Sequence, residues 1–210
     1  FLPLGVSDYT GVRGIGRFRG TDHFNYGVWE YDWNDMRNSE YNFVRDVLFN
    51  NPESEWYGQK ISEHMELFRQ SLDDTIRYFY PYQSKVTTPG QHPAELYADP
   101  ELKTLNSSTA GTTYSDQYHI RLAETYLLRA EAFLGNNQLT EAANDINIVR
   151  SRANAKLVLP SEVNIDYILD ERMRELGVEE KRRLTLSRLG LLYERTNKYC
   201  NGRPDVTNFG

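Results

Sequence analysis

The clearest repeating pattern of apolar residues lies between Tyr118 and Ala153, where apolar side chains recur three and four positions apart. This spacing places them on one face of an α-helix and indicates that the face is buried. The first run of such positions consists of Ile120, Ala123, Tyr126, Leu127, Ala130, Phe133 and Leu134. The second run consists of Ala142, Ile146, Val149 and Ala153. The pattern therefore predicts two consecutive amphipathic helices.

The residues between the two runs predict a tight connection. Gly135-Asn136-Asn137 interrupts the pattern, and we expect Gly135 to adopt the left-handed conformation that commonly closes a helix. Thr140 is a residue type that caps helix N-termini, so we expect it to begin the second helix. Small side chains that would let the helices approach closely are present at Ala123, Ala130, Ala142 and Ala143. Together these features predict a helical hairpin of the tetratricopeptide type.

A third helix is predicted downstream of the hairpin. Its buried stripe would consist of Ile165, Ile168, Leu169, Met173 and Leu176. Ser161 or Asn164 can cap its start, and Gly177 can close its end. Asp170 and Arg174 are four residues apart and are expected to pair across one helical turn.

Residues 1–33 carry a different pattern, in which glycines separate short runs of alternating apolar and polar residues. Alternation at a period of two predicts strands, so we expect a small β-hairpin rich in glycine and aromatic residues near the N-terminus. Side chains alternate sides along a strand, which would place Trp29, Tyr31 and Trp33 on one face. Three uses of that face are open: burial against the helices, a surface that binds sugar or peptide, and contact with a partner protein.

The pattern is weaker between residues 34 and 117. Asp35–Pro52 predicts a short helix or a bent strand, with Arg37 and Asp46 as an ion pair, and Gln59–Gln70 predicts a modest helix. Thr87–Ser115 is rich in Thr, Ser, Pro and Gly and is expected to form a long surface loop. We therefore predict a mainly α protein of 210 residues in a single domain. Its successive segments are 1–33, 34–117, 118–199 and a tail at 200–210.

The composition narrows the classes of partner. A formal net charge of −6 argues against nucleic acid, because phosphates attract a basic surface. The 15 tyrosines supply large amphipathic rings, which suit either core packing or contact with sugars. Cys200 is the only cysteine, which excludes an internal disulfide and a cysteine-based zinc site. No run of about 18 apolar residues is present, so no transmembrane helix is predicted.

We expect no catalytic site, no metal site and no cofactor. A glycoside hydrolase needs two carboxylates across a cleft, one of them with a raised pKa. Glu171 and Glu175 lie among arginines, which lower the pKa of a carboxyl group and keep it charged. His64 lacks a second histidine at the spacing of a helical zinc motif. The protein is therefore predicted not to be an enzyme.

Three blocks of sequence occur in an order that resembles one known family. They are DMRNSEYNFVRDVLFNNPESEWYGQKI from residue 35, IRLAETYLLRAEAFLGNNQLTEAANDINIVRSRAN from residue 120 and ILDERMRELGVEEKRRLTLSRLG from residue 168. They resemble the SusD/RagB family of surface nutrient-binding lipoproteins from Bacteroidetes-type bacteria. The sequence differs from the residues that are most frequent in the family at Val178, Glu180, Lys181 and Arg183.

The resemblance implies a structural role for several charged residues. It implies that the third helix is held to the hairpin by Arg172, Glu175, Glu179 and Arg182. Family members also carry an N-terminal signal, an acylated cysteine and further helical repeats. We therefore expect this chain to be the middle-to-C-terminal part of a longer protein, anchored in the outer membrane at the cell surface through a lipid that this chain lacks.

The resemblance further implies a binding module that captures glycan and delivers it to a TonB-dependent, SusC-like transporter. Sugars offer apolar faces that stack on aromatic rings, so the candidate ligand-binding residues are aromatic. They are Trp29, Trp33, Tyr26 and Tyr31, followed by Tyr9 and Tyr80. The alternatives are an oligopeptide-binding member of the same family and a non-catalytic scaffold for protein interactions.

Overall fold

The computed structural model describes residues 20–46, 48, 49, 52, 54–60, 62–64, 81–85, 92–101, 103–105 and 118–200. These residues belong to two compact units. The first unit contains the described residues between 40 and 105, and the second combines Gly20–Ser39 with 118–200. The single domain expected from the chain length stays a prediction.

The second unit is helical, which confirms the mainly α prediction. Its α-helices are α1 (Asp22–Asn25), α2 (Leu122–Gly135), α3 (Leu139–Arg152), α4 (Ile165–Leu176), α5 (Arg182–Arg188) and α6 (Leu192–Tyr199). Short 3-10 turns lie at Gly27–Trp29, Met36–Asn38, Pro160–Glu162 and Gly177–Glu179. Within the described part of the chain, no helix combines the length and the apolar character that crossing a membrane requires.

Helices α2 and α3 form the expected hairpin, and α4 packs on it. The hairpin is stabilised by a fully buried core whose members come from all three helices and the connection after α3. They are Leu127, Ala130, Ala142, Ala143, Ile146, Val149, Val158, Val163 and Ile168. Ile120 differs from the prediction, because it precedes α2 and is exposed. Three of the four alanines expected at the helix contact are buried, and Ala123 packs against the core.

The ends of these helices differ in part from the predicted ones. Asn137, and not Gly135, is the residue with a positive φ in the α2–α3 connection, since α2 extends through Gly135. Thr140 lies inside α3, so the cap predicted for it is wrong. The prediction for α4 is confirmed: the Asn164 side chain accepts a hydrogen bond from the Tyr167 N–H, and Gly177 follows the helix with a φ of 45°.

The strand predicted for the aromatic residues up to position 33 is wrong. Residues 20–33 form α1, a 3-10 turn and further turns. Local hydrogen bonds to side chains explain the difference: Thr21 accepts from the Phe24 N–H, and Asp32 accepts from the Asn34 N–H. Such bonds satisfy backbone groups that a strand would leave for a partner strand. The remainder of the expected β-hairpin, at positions 1–19, lies outside the described residues.

The first unit contains two short antiparallel strand pairs among its described residues. Strand β1 (Phe43–Val44) pairs with β2 (Tyr82–Gln83), and β3 (Tyr97–Asp99) pairs with β4 (Thr104–Leu105). A 3-10 turn at Ala94–Leu96 precedes β3, so the long loop predicted for Thr87–Ser115 is wrong over this part. The side chain of Asp46 accepts hydrogen bonds from the backbone N–H and the hydroxyl of Ser62. The predicted pair of Arg37 with Asp46 would join the two units and stays a prediction.

Candidate functional site

The aromatic candidates of the second unit occupy different environments. Trp29 is 0% exposed, and its indole Nε1 donates a hydrogen bond to the Phe24 carbonyl. Trp33 and Tyr26 are 51% and 43% exposed. The prediction that Trp29, Tyr31 and Trp33 share one face is therefore wrong, because the turns bury Trp29 and leave Trp33 exposed. Tyr9 and Tyr80 lie outside the described residues.

Tyr31 is held by polar and aromatic contacts from α3, from α4 and from the connection between them. Its hydroxyl donates a hydrogen bond to Glu162 Oε2 at 3.0 Å, and its ring meets the Tyr167 ring edge-on at 5.2 Å. Lys156 Nζ and Arg150 Cζ lie 4.5 and 5.0 Å from the ring centroid. Burial raises the pKa of the Tyr31 hydroxyl, and the hydrogen bond to Glu162 raises it further. Tyr31 is therefore suited to fixing its segment rather than to stacking on a ligand.

A buried cluster of charges attaches Gly20–Ser39 to α4. Glu171 is fully buried, and its Oε2 accepts hydrogen bonds from Arg150 Nη1 at 2.6 Å and Arg174 Nε at 2.8 Å. Its Oε1 forms an ion pair with Arg37 Nη1 at 2.8 Å. We call Glu171 with its partners Arg37, Arg150 and Arg174 the Glu171 cluster. Arg174 also donates to the carbonyl of Val28, next to Trp29.

Glu175, one turn along α4, joins the same helix to both helices of the hairpin. Its Oε1 lies 2.9 Å from Arg121 Nη1, just before α2, and 2.6 Å from Arg152 Nη2, at the end of α3. Its Oε2 lies 3.0 Å from Arg37 Nη1. Glu175 is 0% exposed. These contacts confirm the structural role that the resemblance implies for Glu175.

Of the other three residues with an implied structural role, Arg172 and Glu179 also link to the hairpin, whereas Arg182 links α5 to α4. Arg172 binds Glu124 of α2 at 3.0 Å and Glu180 at 2.6 Å. Glu179 binds Arg121 at 2.7 Å. Arg182 donates to the carbonyl of Leu169 at 2.9 Å. The predicted Asp170–Arg174 pair is wrong, since Asp170 binds His23 and Arg174 binds Glu171.

The electrostatics of the Glu171 cluster suit a structural clamp. Burial alone would raise the pKa of the Glu171 carboxyl, but the charges of Arg174, Arg37 and Arg150 outweigh burial and hold the pKa well below its ordinary value. Burial alone would likewise lower the pKa of Arg37, while Glu171 and Asp35 raise it well above its ordinary value. A carboxylate that stays ionised is a poor general acid. The cluster therefore holds the aromatic segment in place through ionised side chains.

Reasoning from the sequence did not identify Arg37, Arg150 and Arg174 as partners of Glu171. One signal was available for Arg150, which follows the buried Ile146 by four residues on α3. A charged residue on the apolar side of a helix requires an opposite charge, because burying it alone is highly unfavourable. The identity of that partner could not be deduced, since it lies on another helix.

A separate groove of about 280 Å³ runs along the hairpin. Leu122 and Tyr126 of α2 line it together with Ile148 of α3, and Arg121 and Arg152 lie at its charged end. Leu122 and Ile148 are exposed, as is the neighbouring Ile120. Among the described residues, no group of histidine, cysteine and acidic side chains is arranged to hold a metal ion.

Comparison with known proteins gives a family for the chain. The model of the SusD family matches residues 17–209, which is nearly the whole chain. Neither the curated proteins nor the solved structures gave a match. The matched range includes the hairpin, the Glu171 cluster and the exposed Tyr26 and Trp33. The chain therefore belongs to the SusD family, whose members are non-catalytic nutrient-binding proteins associated with the outer membrane.

Proposed function

We propose that the protein is a surface nutrient-capture component that binds oligosaccharide and delivers it to a TonB-dependent, SusC-like transporter. A single observation carries the proposal: two exposed aromatic rings, Tyr26 and Trp33, lie on a segment that buried charges clamp to the helices. Aromatic faces stack on the apolar faces of sugars, and a segment held in advance loses little entropy when a ligand binds.

The segment that carries Tyr26 and Trp33 is fixed by ion pairs and a hydrogen bond, and this fixed position favours a role in ligand binding. Arg37 is bound by three carboxylates, Asp35, Glu171 and Glu175, at 2.6, 2.8 and 3.0 Å. Tyr31 adds a hydrogen bond to Glu162 within the same segment. Because the segment is fixed at both Tyr31 and Arg37, the rings of Tyr26 and Trp33 keep one geometry. A preformed binding site requires such a fixed geometry.

The proposed location follows from membership in the family. We place the protein at the outer surface of the outer membrane, held there by a lipid anchor. The transporter partner is proposed on the same basis. The oligosaccharide would be captured and then released to the transporter. Capture and release leave the ligand chemically unchanged.

The test of glycan binding replaces Trp33 and Tyr26 by Ala, singly and together, and titrates oligosaccharides by calorimetry. We expect each single change to weaken binding about two- to ten-fold, since one aromatic contact contributes about 0.5–1.5 kcal/mol beyond area burial. The matched control is Tyr193→Ala, because Tyr193 is 53% exposed on α6 of the same unit. Unchanged affinity in the double variant, with a normal circular dichroism spectrum, would reject the proposed surface.

The surface of Tyr26 and Trp33 also suits an oligopeptide-binding member of the family. Titration with both oligosaccharides and peptides distinguishes the two ligand classes. Oligosaccharides and unstructured peptides are titrated against the same protein under the same conditions. Binding of peptides alone, abolished by the Trp33→Ala change, would keep the surface and replace the ligand class. Binding of oligosaccharides alone supports the proposal as stated.

A second candidate function, a scaffold for protein contacts, is favoured by the exposed apolar residues Leu122 and Ile148, which line the hairpin groove. Neighbouring exposed apolar residues commonly mark an interaction surface. The test is Ile148→Asp in a pull-down with the co-expressed transporter. Leu128→Asp is the control, since Leu128 is also exposed on α2 and does not line the groove. Loss of retention only for Ile148→Asp would support the scaffold, and equal retention of both would reject it.

A further inference from the structure

A cavity of about 360 Å³ lies where α4, α5 and α6 meet the residues around His23. Its apolar wall is formed by Met173, Leu186, Leu192 and the ring of Tyr199. The volume falls within the range of about 300–1,000 Å³ that is typical of small-molecule sites. An apolar wall accepts hydrocarbon readily and leaves amide groups of a peptide without hydrogen-bond partners.

The charged side chains in the wall of this cavity are arginines. Arg182, Arg183 and Arg195 line it, and no acidic residue is among the described residues of its wall. Arg182 is compensated by Glu180 at 3.2 Å. Arg183 is exposed and has no ion pair within the described ranges. An uncompensated cation beside an apolar cavity favours a ligand that carries an anion at one end.

Arg195 is the most deeply buried of the three arginines. It is only 3% exposed, and its Nη1 and Nη2 donate to the Tyr199 hydroxyl at 2.9 Å and to Asp166 Oδ1 at 2.6 Å. Its Nε has no hydrogen-bond partner among the described residues. This Nε is enclosed by protein, and the charge of Arg195 is balanced by Asp166, so Arg183 is the cation that a ligand in the cavity can reach.

The cavity is held open by contacts that do not depend on a ligand. The His23 ring stacks on the Tyr199 ring with 3.8 Å between centroids, and His23 Nε2 lies 2.9 Å from Asp170 Oδ1. These contacts join α1 to α4 and α6 on one side of the cavity. A site whose wall is fixed in this way requires little rearrangement on binding.

We propose that this cavity binds a small amphiphilic carboxylate, an alkyl chain that ends in one carboxylate. The chain lies against Met173, Leu186 and Leu192, and the carboxylate pairs with the exposed guanidinium of Arg183. Met173, Leu186 and Leu192 offer no hydrogen-bond partners to the hydroxyl groups of a sugar. The site is distinct from the surface of Tyr26 and Trp33 and does not depend on the proposed glycan function.

Cys200 makes the proposal directly testable, because the only cysteine of the chain is exposed and lines the cavity. The protein is incubated with decanoate below its micelle concentration, and alkylation of Cys200 by iodoacetamide is followed by mass spectrometry. We expect decanoate to slow alkylation at least five-fold with a saturating dose dependence. Decyltrimethylammonium, with the same chain length and the opposite charge, is expected to give no protection.

Variants place the ligand within the cavity. Arg183→Gln should weaken the protection by decanoate about five-fold, whereas Lys181→Gln, an equal change of charge two residues away and outside the cavity wall, should leave it unchanged. Leu192→Trp adds a larger side chain to the apolar wall and should abolish protection. If Leu192→Trp fails to fold, the comparison of Arg183→Gln with Lys181→Gln still tests whether the carboxylate binds at Arg183.

Three results would overturn the proposal. The first is absence of saturable protection by decanoate in the folded protein. The second is equal protection by decanoate and decyltrimethylammonium, which would indicate an unspecific apolar effect. The third is an equal effect of Arg183→Gln and Lys181→Gln, which would indicate general attraction to the basic surface and no carboxylate site.

Discussion

Arg37 and Glu171 form an ion pair with 2.8 Å between Nη1 and Oε1, and Glu171 is fully buried. The two residues are far apart in the sequence, and the pair joins the segment that carries Tyr26 and Trp33 to the helix that packs on the hairpin. A buried charge requires its partners, because an uncompensated charge in the interior is strongly unfavourable. The position of the aromatic segment therefore depends on the Glu171 cluster.

Replacing Glu171 by Gln should destabilise the protein by about 3–5 kcal/mol. The change removes one negative charge and leaves Arg37, Arg150 and Arg174 without their common counter-charge. Unfolding in urea, followed by circular dichroism, measures the effect. The control is Glu194→Gln on the exposed side of α6, which should change the free energy of unfolding by less than about 0.5 kcal/mol. Equal midpoints for the two variants would contradict the structural role of Glu171.

The Glu171 cluster also predicts how stability depends on pH. The pKa of Glu171 lies well below its ordinary value of 4.5, because the charges of Arg174, Arg37 and Arg150 outweigh the opposing effect of burial. The unfolded chain takes up this proton more readily than the folded protein, so the contribution is present above pH 4.5 and decreases as the pH falls below it.

Urea midpoints measured between pH 7 and pH 3 test this sign. The difference between the native protein and Glu171→Gln isolates the contribution of this one carboxyl from those of the other acids. We expect the difference to be largest at neutral pH and to shrink toward pH 3. A difference that grows on acidification would show that the pKa of Glu171 is raised in the folded protein.

Leu127 and Leu128 are adjacent in α2 and offer a matched pair for the hairpin core. Leu127 is 0% exposed and Leu128 is 42% exposed. Leu127→Ala should lower the free energy of unfolding by about 2–5 kcal/mol, since it removes buried methyl groups and leaves a cavity. Leu128→Ala should change it by less than about 1 kcal/mol. Thermal unfolding of both variants provides the measurement, and similar losses would contradict the orientation of α2.

The hairpin and α4 could be predicted from the sequence because their signals are local. Apolar residues three and four apart identify a buried helical face without knowledge of its partner. The capping residue Asn164 and the terminating Gly177 act on the backbone within a few residues. Gly135 was misjudged because Asn also adopts the left-handed conformation, and Asn137 is the residue that does so.

The candidate site was harder to predict, for two physical reasons. Alternation of residue types around Trp29 resembles a strand, but hydrogen bonds to the side chains of Thr21 and Asp32 favour turns, and periodicity does not register them. Ion pairs also connect residues that are distant in the sequence. Asp170 was assigned to Arg174 on its own helix, whereas His23, on α1, is its partner.

Tyr31→Phe tests whether Tyr31 fixes the aromatic segment or contacts ligand directly. The change keeps the ring beside Tyr167 and removes the hydroxyl that donates to Glu162 Oε2 at 3.0 Å. We expect a loss of about 1 kcal/mol in the free energy of unfolding, the usual contribution of one hydrogen bond. Oligosaccharide affinity should fall two- to five-fold, since the exposed rings lose part of their fixed position.

Tyr193→Phe is the control, because the exposed Tyr193 hydroxyl has no hydrogen bond within the described part of the chain. Equal stability of the two variants would show that the Tyr31 hydroxyl does not hold the segment, and the clamp would then rest on the Glu171 cluster alone.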